Sequence, residues 1–236
     1  MGYSDKHVFF DLDRTLWDFE ANSERALRTL HQGTGLVEYI PLFDKFHKAY
    51  LKNNKHLWHK YSSGKLTKEE LRYERFRATL RNFNVVNENL TVQLGDGYVE
   101  LSPKQTALIP HAERVLEDLK EMGFNLHIIT NGFLEVQHVK LKYANIHQHF
   151  QVILCSEEVG FNKPHPTIFS QALQQANAAA KNSLMVGDDY RADVLGSIKA
   201  GMQAVWYQKD RSNKSKYEYK IDCLSKLPLL TAQLLK

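Results

Sequence analysis

The stretch "VFFDLDRTLWD", residues 8–18, joins an apolar run to two carboxylates. Val8, Phe9 and Phe10 have the character of a buried strand, and Asp11 and Asp13 follow two residues apart where that strand ends. Two negative charges at the end of a buried strand call for a reason, and the rest of the sequence supplies one.

From Pro110 onward, helical and strand patterns alternate with short connections between them. An apolar stripe at helical spacing or a short apolar run marks each segment, and glycine or proline residues punctuate the boundaries. The segments are, in order, "HAERVLEDLKEMG", "NLHIITNG", "LEVQHVKLKYANI", "FQVILCS", "PTIFSQALQQAN", "SLMVGDD", "RADVLGSIKAG" and "QAVWY". Alternation of this kind predicts an α/β fold, a doubly wound, Rossmann-like parallel sheet covered on both faces.

Residues 17–107 have a different pattern. They hold long helical stretches and no convincing strand, and one helix opens with a capping box formed by Thr67 and Glu70. We therefore expect an α/β core domain over residues 1–16 and 108–236 and an inserted, all-helical domain over residues 17–107.

Composition limits the possible classes of protein. With 43% hydrophobic and 25% charged residues and a net charge of +4, the chain of 236 residues has the character of an ordinary globular protein. No apolar run approaches the roughly 20 residues that span a bilayer, and the N-terminus lacks a signal-peptide or myristoylation pattern. We expect a cytoplasmic protein that binds neither membranes nor nucleic acid polymers.

The mixed-charge cluster at 209–220 is predicted to be a solvated loop. Cys155 and Cys223 are predicted to be buried small hydrophobes.

Polar residues follow each predicted strand, at the edge where doubly wound sheets bind their ligands. They are Asp11 and Asp13; Thr130, Asn131 and Gly132; Lys163; and Asp188, Asp189 and Asp193.

Each of these signals also has a purely structural interpretation. Asp11 and Asp13 are residue types found in turns and helix caps. Gly132 is compatible with a turn that needs a positive φ, and most lysines, such as Lys163, are exposed. The acids after the fourth strand suit a helix N-terminus. Their shared position at strand ends favours a common function.

Four motifs together resemble those of the haloacid dehalogenase-like superfamily, in the expected order. They are "FFDLDRTL", "HIITNG", "NKPHPTIF" and "MVGDDYRADVLGSIKAG". The helical insert is similar to the cap domain that one branch of this superfamily places between its first two motifs. Within that branch, "NNKHLWHKYSSGKLTKEELRYERF" and "SEEVGFNKPHPTIF" resemble bacterial pyrimidine 5′-nucleotidases.

The resemblance implies phosphoryl transfer in which Asp11 is the nucleophile and forms an aspartyl-phosphate. It also implies Mg²⁺, held by the Asp11 carboxylate, the backbone carbonyl of Asp13 and the side chain of Asp188. Such a cation offsets the repulsion between a carboxylate and a phosphate, about 4 kcal/mol for two unit charges about 4 Å apart at an intermediate dielectric. Lys163 and Thr130 would bind the phosphoryl oxygens, together with backbone N–H groups near Asn131 and Gly132.

Asp13 takes the role of general acid and base in this scheme, since a phosphate ester leaves as an alkoxide unless a proton is supplied. Dehalogenases of the superfamily lack an aspartate here, so Asp13 and Asp188 favour a phosphate ester as substrate. Asp189 and Asp193 are predicted to orient Lys163 or metal-bound water, with a helix cap as the alternative for Asp189.

Residues 55–61 form the densest polar and aromatic cluster of the insert. Trp58 and Tyr61 are candidates to stack on a nucleobase, although one helical turn separates them and packing inside the insert is the competing interpretation.

The sequence therefore predicts a Mg²⁺-dependent phosphatase for a small-molecule monoester, as a monomer or homodimer, with pyrimidine nucleoside monophosphates such as dTMP, dUMP or UMP as the preferred substrates. A sugar-phosphate or phosphoglycolate phosphatase or a phosphomutase of the same fold is the first alternative. A phospho-acceptor signalling domain is the second. In such a domain an acidic pair comes first and the acceptor aspartate follows, whereas here Thr130 precedes Lys163 and the pair Asp188 and Asp189 follows both; such a domain would also lack a cap.

Overall fold

A computed structural model of the chain describes residues 5–209 and 216–236. The chain divides into two compact units. One consists of Met1–Phe19 and Thr106–Lys236, and the other of Glu20–Gln105. Among the described residues of the first unit, six strands form one parallel sheet.

The strands are β1 (His7–Phe10), β2 (Asn125–Thr130), β3 (Val152–Cys155), β4 (Ser183–Gly187), β5 (Gln203–Tyr207) and β6 (Lys220–Ile221). Their order across the sheet is β3-β2-β1-β4-β5-β6. The chain winds outward from β1 to β3, returns to β4 and continues in the other direction. The direction of winding therefore switches between β1 and β4, as in doubly wound sheets.

The predicted α/β class is thus confirmed. Helices of this unit are α6 (Ala112–Glu121), α7 (Leu134–Tyr143), α8 (Ser156–Val159), α9 (Pro166–Gln175), α10 (Gly196–Lys199) and α11 (Leu227–Leu234). Gly123, with φ of 94°, follows α6, and Pro166 is the first residue of α9. Both residues lie at helix boundaries, as the sequence predicted.

Two apolar layers cover the faces of the sheet. Because side chains alternate along a strand, Val8 and Phe10 belong to one layer, which also contains Leu116 and Leu119 of α6. Phe9 belongs to the other, with Ile168 and Phe169 of α9. Every residue of β1 is buried, as expected for a central parallel strand.

The second unit is built from α1 (Phe19–Gly33), α2 (Leu36–Tyr39), α3 (Phe43–Ser62), α4 (Lys68–Arg81) and α5 (Glu88–Leu101). Its described residues contain no strand. The capping box predicted at Thr67 and Glu70 is confirmed at the start of α4. Aromatic rings fill its core, with Tyr50, Phe76 and Tyr98 in mutual contact.

Three features depart from the sequence predictions. The short edge strand β6 was not foreseen, since two residues carry no readable periodicity. The predicted helix "RADVLGSIKAG" is divided, with a π-helical turn at Tyr190–Leu195 before α10. Cys155 is buried as predicted, but Cys223 is partly exposed, so the prediction for Cys223 was wrong.

Residues 210–215 of the predicted loop at 209–220 lie outside the described residues, as do residues 1–4, and Lys220 at the end of this segment begins β6. Where the helices are described, none combines the length and the apolar character that crossing a membrane requires.

Two histidines are stacked within the sheet. His7 Nδ1 lies 3.0 Å from His127 Nε2, and the His127 ring stacks on Phe9 with 4.6 Å between ring centroids. Burial, together with the nearby His7, lowers the pKa of His127 from 6.5 to about 3.

We predict that His127 makes the protein less stable in acid. Below pH 6.5 the unfolded chain binds a proton at His127 that the folded protein binds only near pH 3, so this contribution to stability is lost as the pH falls. When the pH falls from 7.5 to 5, the free energy of unfolding measured in urea should decrease in the wild type by up to about 2 kcal/mol more than it does in His127→Gln. The exposed His56, changed to Gln, serves as the control and should behave as the wild type. Equal pH dependence in wild type and His127→Gln would contradict the assignment.

Candidate active site

The central strand places Asp11 between two other strand ends. Phe10 pairs with Ile128 of β2 on one side and with Val186 of β4 on the other. The next residue, Asp11, continues this pairing through its N–H, which donates to the Val186 carbonyl at 2.9 Å. Residues that end β2 and β4 are therefore neighbours of Asp11, which is buried with 8% of its surface exposed.

Lys163 reaches this point from the segment between α8 and α9. Its Nζ donates to Asp11 Oδ1 at 2.7 Å and to the Ile129 carbonyl at 2.7 Å, and it lies 2.7 Å from Asp193 Oδ1. The contacts with Asp11 and Ile129 are hydrogen bonds, and the contact with Asp193 is an ion pair. Lys163 is 4% exposed, so the interpretation as a surface lysine was wrong.

Three carboxylates lie close together here, and Lys163 contacts two of them, Asp11 and Asp193. One oxygen each of Asp11, Asp188 and Asp193 lies within 4.8 Å of the others. Burial raises the pKa of Asp188 to about 8, with the charges of Asp11 and Asp193 acting in the same direction. Burial also raises the pKa of Asp193 to about 7 against the effect of Lys163, and it raises the pKa of Asp11. Ionised, the cluster carries two more negative than positive charges.

The donor set of the cluster fits a small divalent cation. The ligand atoms are all oxygens, as hard cations require. The Asp188 carboxylate accepts no hydrogen bond from the described residues, and the same holds for the Asp13 carbonyl oxygen. A divalent cation would balance the excess charge and use oxygens that the protein leaves without a donor.

Thr130 and Gly132 form a local hydrogen bond at the end of β2. The Gly132 N–H donates to Thr130 Oγ1 at 3.0 Å, so this N–H is occupied rather than open to a phosphate as predicted. The Thr130 hydroxyl hydrogen has no acceptor within the described part of the chain. Gly132 does not have a positive φ, so the turn interpretation was wrong; a methyl group there would collide with the side chain of Gln137.

Asn131 holds the backbone of Lys163 with both ends of its amide. Its Oδ1 accepts from the Lys163 N–H at 2.8 Å, and its Nδ2 donates to the Lys163 carbonyl at 3.1 Å. The sequence suggested a role for the backbone of Asn131, whereas the structure gives one to its side chain.

Asp189 and Asp193 differ in what they contact. Asp189 Oδ1 accepts from the N–H groups of Arg191 and Ala192, each at 2.8 Å, and therefore acts as a helix cap. Asp193 projects back from the π-helical turn, and its Oδ2 accepts from the Asp189 N–H at 3.0 Å. A methyl group on Gly187 would collide with the Asp193 carboxylate, which explains the glycine of "GDD".

Asp13 belongs to a second ion pair. Lys140 Nζ donates to Asp13 Oδ1 at 2.5 Å and to Oδ2 at 2.7 Å, and Gln137 Nε2 lies 3.4 Å from Oδ2. Both partners are on α7 and both are buried. Sequence reasoning missed them, although two polar residues in the buried stripe of a helix are a usable signal.

Trp206 is another residue that the sequence did not indicate. Its indole Nε1 donates to the backbone carbonyl of Asp188 at 2.8 Å. The end of β5 thereby holds the segment that presents Asp188.

The candidate aromatic residues of the insert contact each other within the helical unit. Trp58 and Tyr61 lie on α3 with 5.5 Å between ring centroids in an edge-on arrangement. Both side chains are half-buried, while Lys55, His56 and His59 are exposed.

Comparison with known proteins adds independent information. The family model described as haloacid dehalogenase-like hydrolase matches residues 6–201. The pyrimidine 5′-nucleotidase YjjG of Escherichia coli is 32% identical over 84% of this chain and 84% of its own length. A glyceraldehyde 3-phosphate phosphatase of Methanothermobacter thermautotrophicus is 32% identical over 85% of this chain and 84% of its own. The crystal structure of HAD-hydrolase YfnB from Bacillus subtilis, bound to magnesium, superposes with a TM-score of 0.85 at 28% identity and covers 96% of this chain and 98% of that one.

We predict that replacing Asn131 by Ala destabilises the fold. The N–H and the carbonyl of Lys163 would lose their partners, and partly buried groups left unpaired cost about 1–3 kcal/mol. In a chain of this size that corresponds to a melting temperature lower by about 2–12 °C. Asn162→Ala in the same segment is the matched control, because the Asn162 side chain makes no hydrogen bond to the described residues. Equal melting temperatures of the two variants would show that the Asn131 amide does not hold this segment.

Proposed function

The chain belongs to the haloacid dehalogenase-like hydrolase family, and from this premise we propose that it is a Mg²⁺-dependent phosphatase that acts on pyrimidine nucleoside 5′-monophosphates. Family membership and the phosphatases among the relatives confirm the predicted resemblance and the predicted hydrolase of phosphate monoesters. The observation that supports the mechanism most directly is the contact of the buried Asp11 with Lys163 at 2.7 Å.

In the proposed reaction, an Asp11 oxygen attacks phosphorus and the bond from phosphorus to the ester oxygen breaks. Asp13 enters this step protonated and gives its proton to the leaving oxygen, which departs as an alcohol. Water then attacks the phosphorus, Asp13 takes its proton, and the bond between Asp11 and phosphorus breaks to release inorganic phosphate. Dividing one hydrolysis into two displacements is the advantage of a carboxylate nucleophile.

The other residues have supporting roles in this proposal. Lys163 binds a phosphoryl oxygen and keeps Asp11 oriented, and the free hydroxyl hydrogen of Thr130 donates to a second oxygen. The Asn131 N–H is the remaining backbone donor of the predicted phosphate site. Asp193 orients Lys163 through the 2.7 Å contact between Asp193 Oδ1 and Lys163 Nζ.

Mg²⁺ is the cation that we assign to the carboxylate cluster, held by the side chains of Asp11 and Asp188 and by the Asp13 carbonyl. When bound, it neutralises phosphate charge and acts as a Lewis acid toward the phosphoryl oxygen. The excess of two negative charges and the undonated oxygens of Asp188 and Asp13 support the assignment.

The choice of pyrimidine nucleotides follows from the likeness to YjjG over most of the chain. Trp58 and Tyr61 remain our candidates for recognition of the base. A phosphatase for small sugar phosphates is the second candidate, because the glyceraldehyde 3-phosphate phosphatase has the same identity and similar coverage.

A panel of phosphate monoesters tests the substrate. We expect kcat/KM for dTMP, dUMP or UMP to exceed that for glyceraldehyde 3-phosphate and phosphoglycolate by roughly 10-fold or more, since contacts with the leaving group separate substrates by such factors. Asp11→Asn should abolish release of phosphate from every compound. A preference for sugar phosphates would reject the nucleotidase, and full activity of Asp11→Asn would reject the mechanism.

A thermal-shift measurement tests the cation without turnover. Mg²⁺ at about 100 times its dissociation constant should raise the melting temperature of the metal-free protein by about 5–10 °C. Asp188→Asn should lose this shift, yet melt no lower than the wild type without metal, because one of three mutually repelling carboxylates is gone. The exposed Asp44, changed to Asn, is the control and should keep the full shift. An unchanged shift in Asp188→Asn would exclude Asp188 as a ligand.

A further inference from the structure

The α7 residues Lys140 and Gln137 surround Asp13 with donors. Lys140 Nζ contacts both carboxylate oxygens, at 2.5 and 2.7 Å, and lies 4.3 Å from the ring centroid of Trp17. The side chain of Lys140 is 5% exposed and that of Asp13 is 22% exposed. An ammonium group this deeply buried needs a charged partner, and Asp13 is the anion that it contacts among the described residues.

The contacts with Lys140 and Gln137 hold the Asp13 carboxylate in one orientation. Lys140 Nζ donates to both carboxylate oxygens and Gln137 Nε2 donates to Oδ2, so rotation of the carboxylate is more restricted than a single hydrogen bond would make it. The lysine charge also offsets a negative charge only two residues from Asp11, where repulsion would oppose the approach of a phosphate.

Gln137 adds a second, independent observation. It is 1% exposed, and its Oε1 has no hydrogen-bond partner within the described part of the chain. A buried acceptor without a donor beside Asp13 is costly for the fold alone, and it is suited to a water or a leaving-group hydroxyl at this position.

We propose that Lys140, assisted by Gln137, is a positioning residue that holds Asp13 in the orientation for proton transfer to and from the reacting oxygens. This inference rests on the proposed phosphatase function. Its sequence signature is a Gln and a Lys three residues apart on the buried face of the helix that follows "TNG".

Leaving groups that differ in their need for a proton separate this role from a merely structural one. A nucleoside monophosphate expels an alkoxide that needs a proton, whereas p-nitrophenyl phosphate expels a phenolate that is stable without one. The parameter kcat/KM is used because it reports the steps through departure of the leaving group.

We expect Lys140→Met to lower kcat/KM for the nucleoside monophosphate about 10- to 100-fold, a part of the 10²–10⁴-fold that a general acid or base contributes. The loss for p-nitrophenyl phosphate should stay below about 5-fold, because the proton from Asp13 matters little there. Lys140→Arg should recover most of the activity, since it restores charge and donors. Lys142→Met, an exposed lysine on the same helix, is the control and should match the wild type.

A double variant tests whether Lys140 acts through Asp13. If it does, Asp13→Asn with Lys140→Met should be no slower on the nucleotide than Asp13→Asn alone. Because the double variant contains no unpaired carboxylate at position 13, it also serves as the sample if Lys140→Met folds poorly.

Other outcomes overturn the inference. Equal losses on both substrates, failure of Lys140→Arg to recover activity, or a further loss in the double variant would show that Lys140 does not work through Asp13. These results leave the proposed function intact as long as Asp11→Asn is inactive. An active Asp11→Asn would instead remove the proposed function and this inference with it.

Discussion

Buried negative charge is the constraint around which this molecule is organised. One carboxylate oxygen each of Asp11, Asp188 and Asp193 lies within 4.8 Å of the others, and Lys163 forms ion pairs with Asp11 and Asp193. Burial raises the pKa values of all three acids, because it destabilises their ionised forms. A bound cation would stabilise the ionised forms, which is the basis of the metal site and the phosphoryl transfer that we propose.

The sheet makes this concentration of charge possible. The three acids come from the ends of β1 and β4 and from the π-helical turn after β4, and these elements meet where the winding direction switches. Close approach also requires small residues. Gly187 leaves room for the Asp193 carboxylate, and Gly132 leaves room for Gln137. These glycines are needed for space, not for an unusual φ.

Each of the two aspartates of the first motif forms an ion pair with a different lysine. Lys163 contacts Asp11, and Lys140 contacts Asp13. The two carboxylates are two residues apart in the chain, yet each has its own cation delivered by a different element. In the proposed mechanism, this separation would let Asp11 act as the nucleophile while Asp13 is oriented independently for proton transfer.

The sequence by itself determined the α/β class, the order of the major strands and helices along the chain, the helical character of the long segment between the first two strands and the identity of the polar residues at the strand ends. Apolar periodicity, capping residues and glycine positions are local signals, so these features can be read along the chain. The strand end at Asp11 and the capping box at Thr67 are examples.

Only the tertiary structure decided which of these groups meet. The pairing of Asp13 with Lys140 joins residues 127 positions apart, and that of Asp11 with Lys163 joins residues 152 apart. The hydrogen bonds of Asn131 with the Lys163 backbone and of Trp206 with the Asp188 carbonyl are also contacts between residues distant in sequence. No local pattern encodes such contacts, because they depend on strand order and on how deeply each helix packs against the sheet.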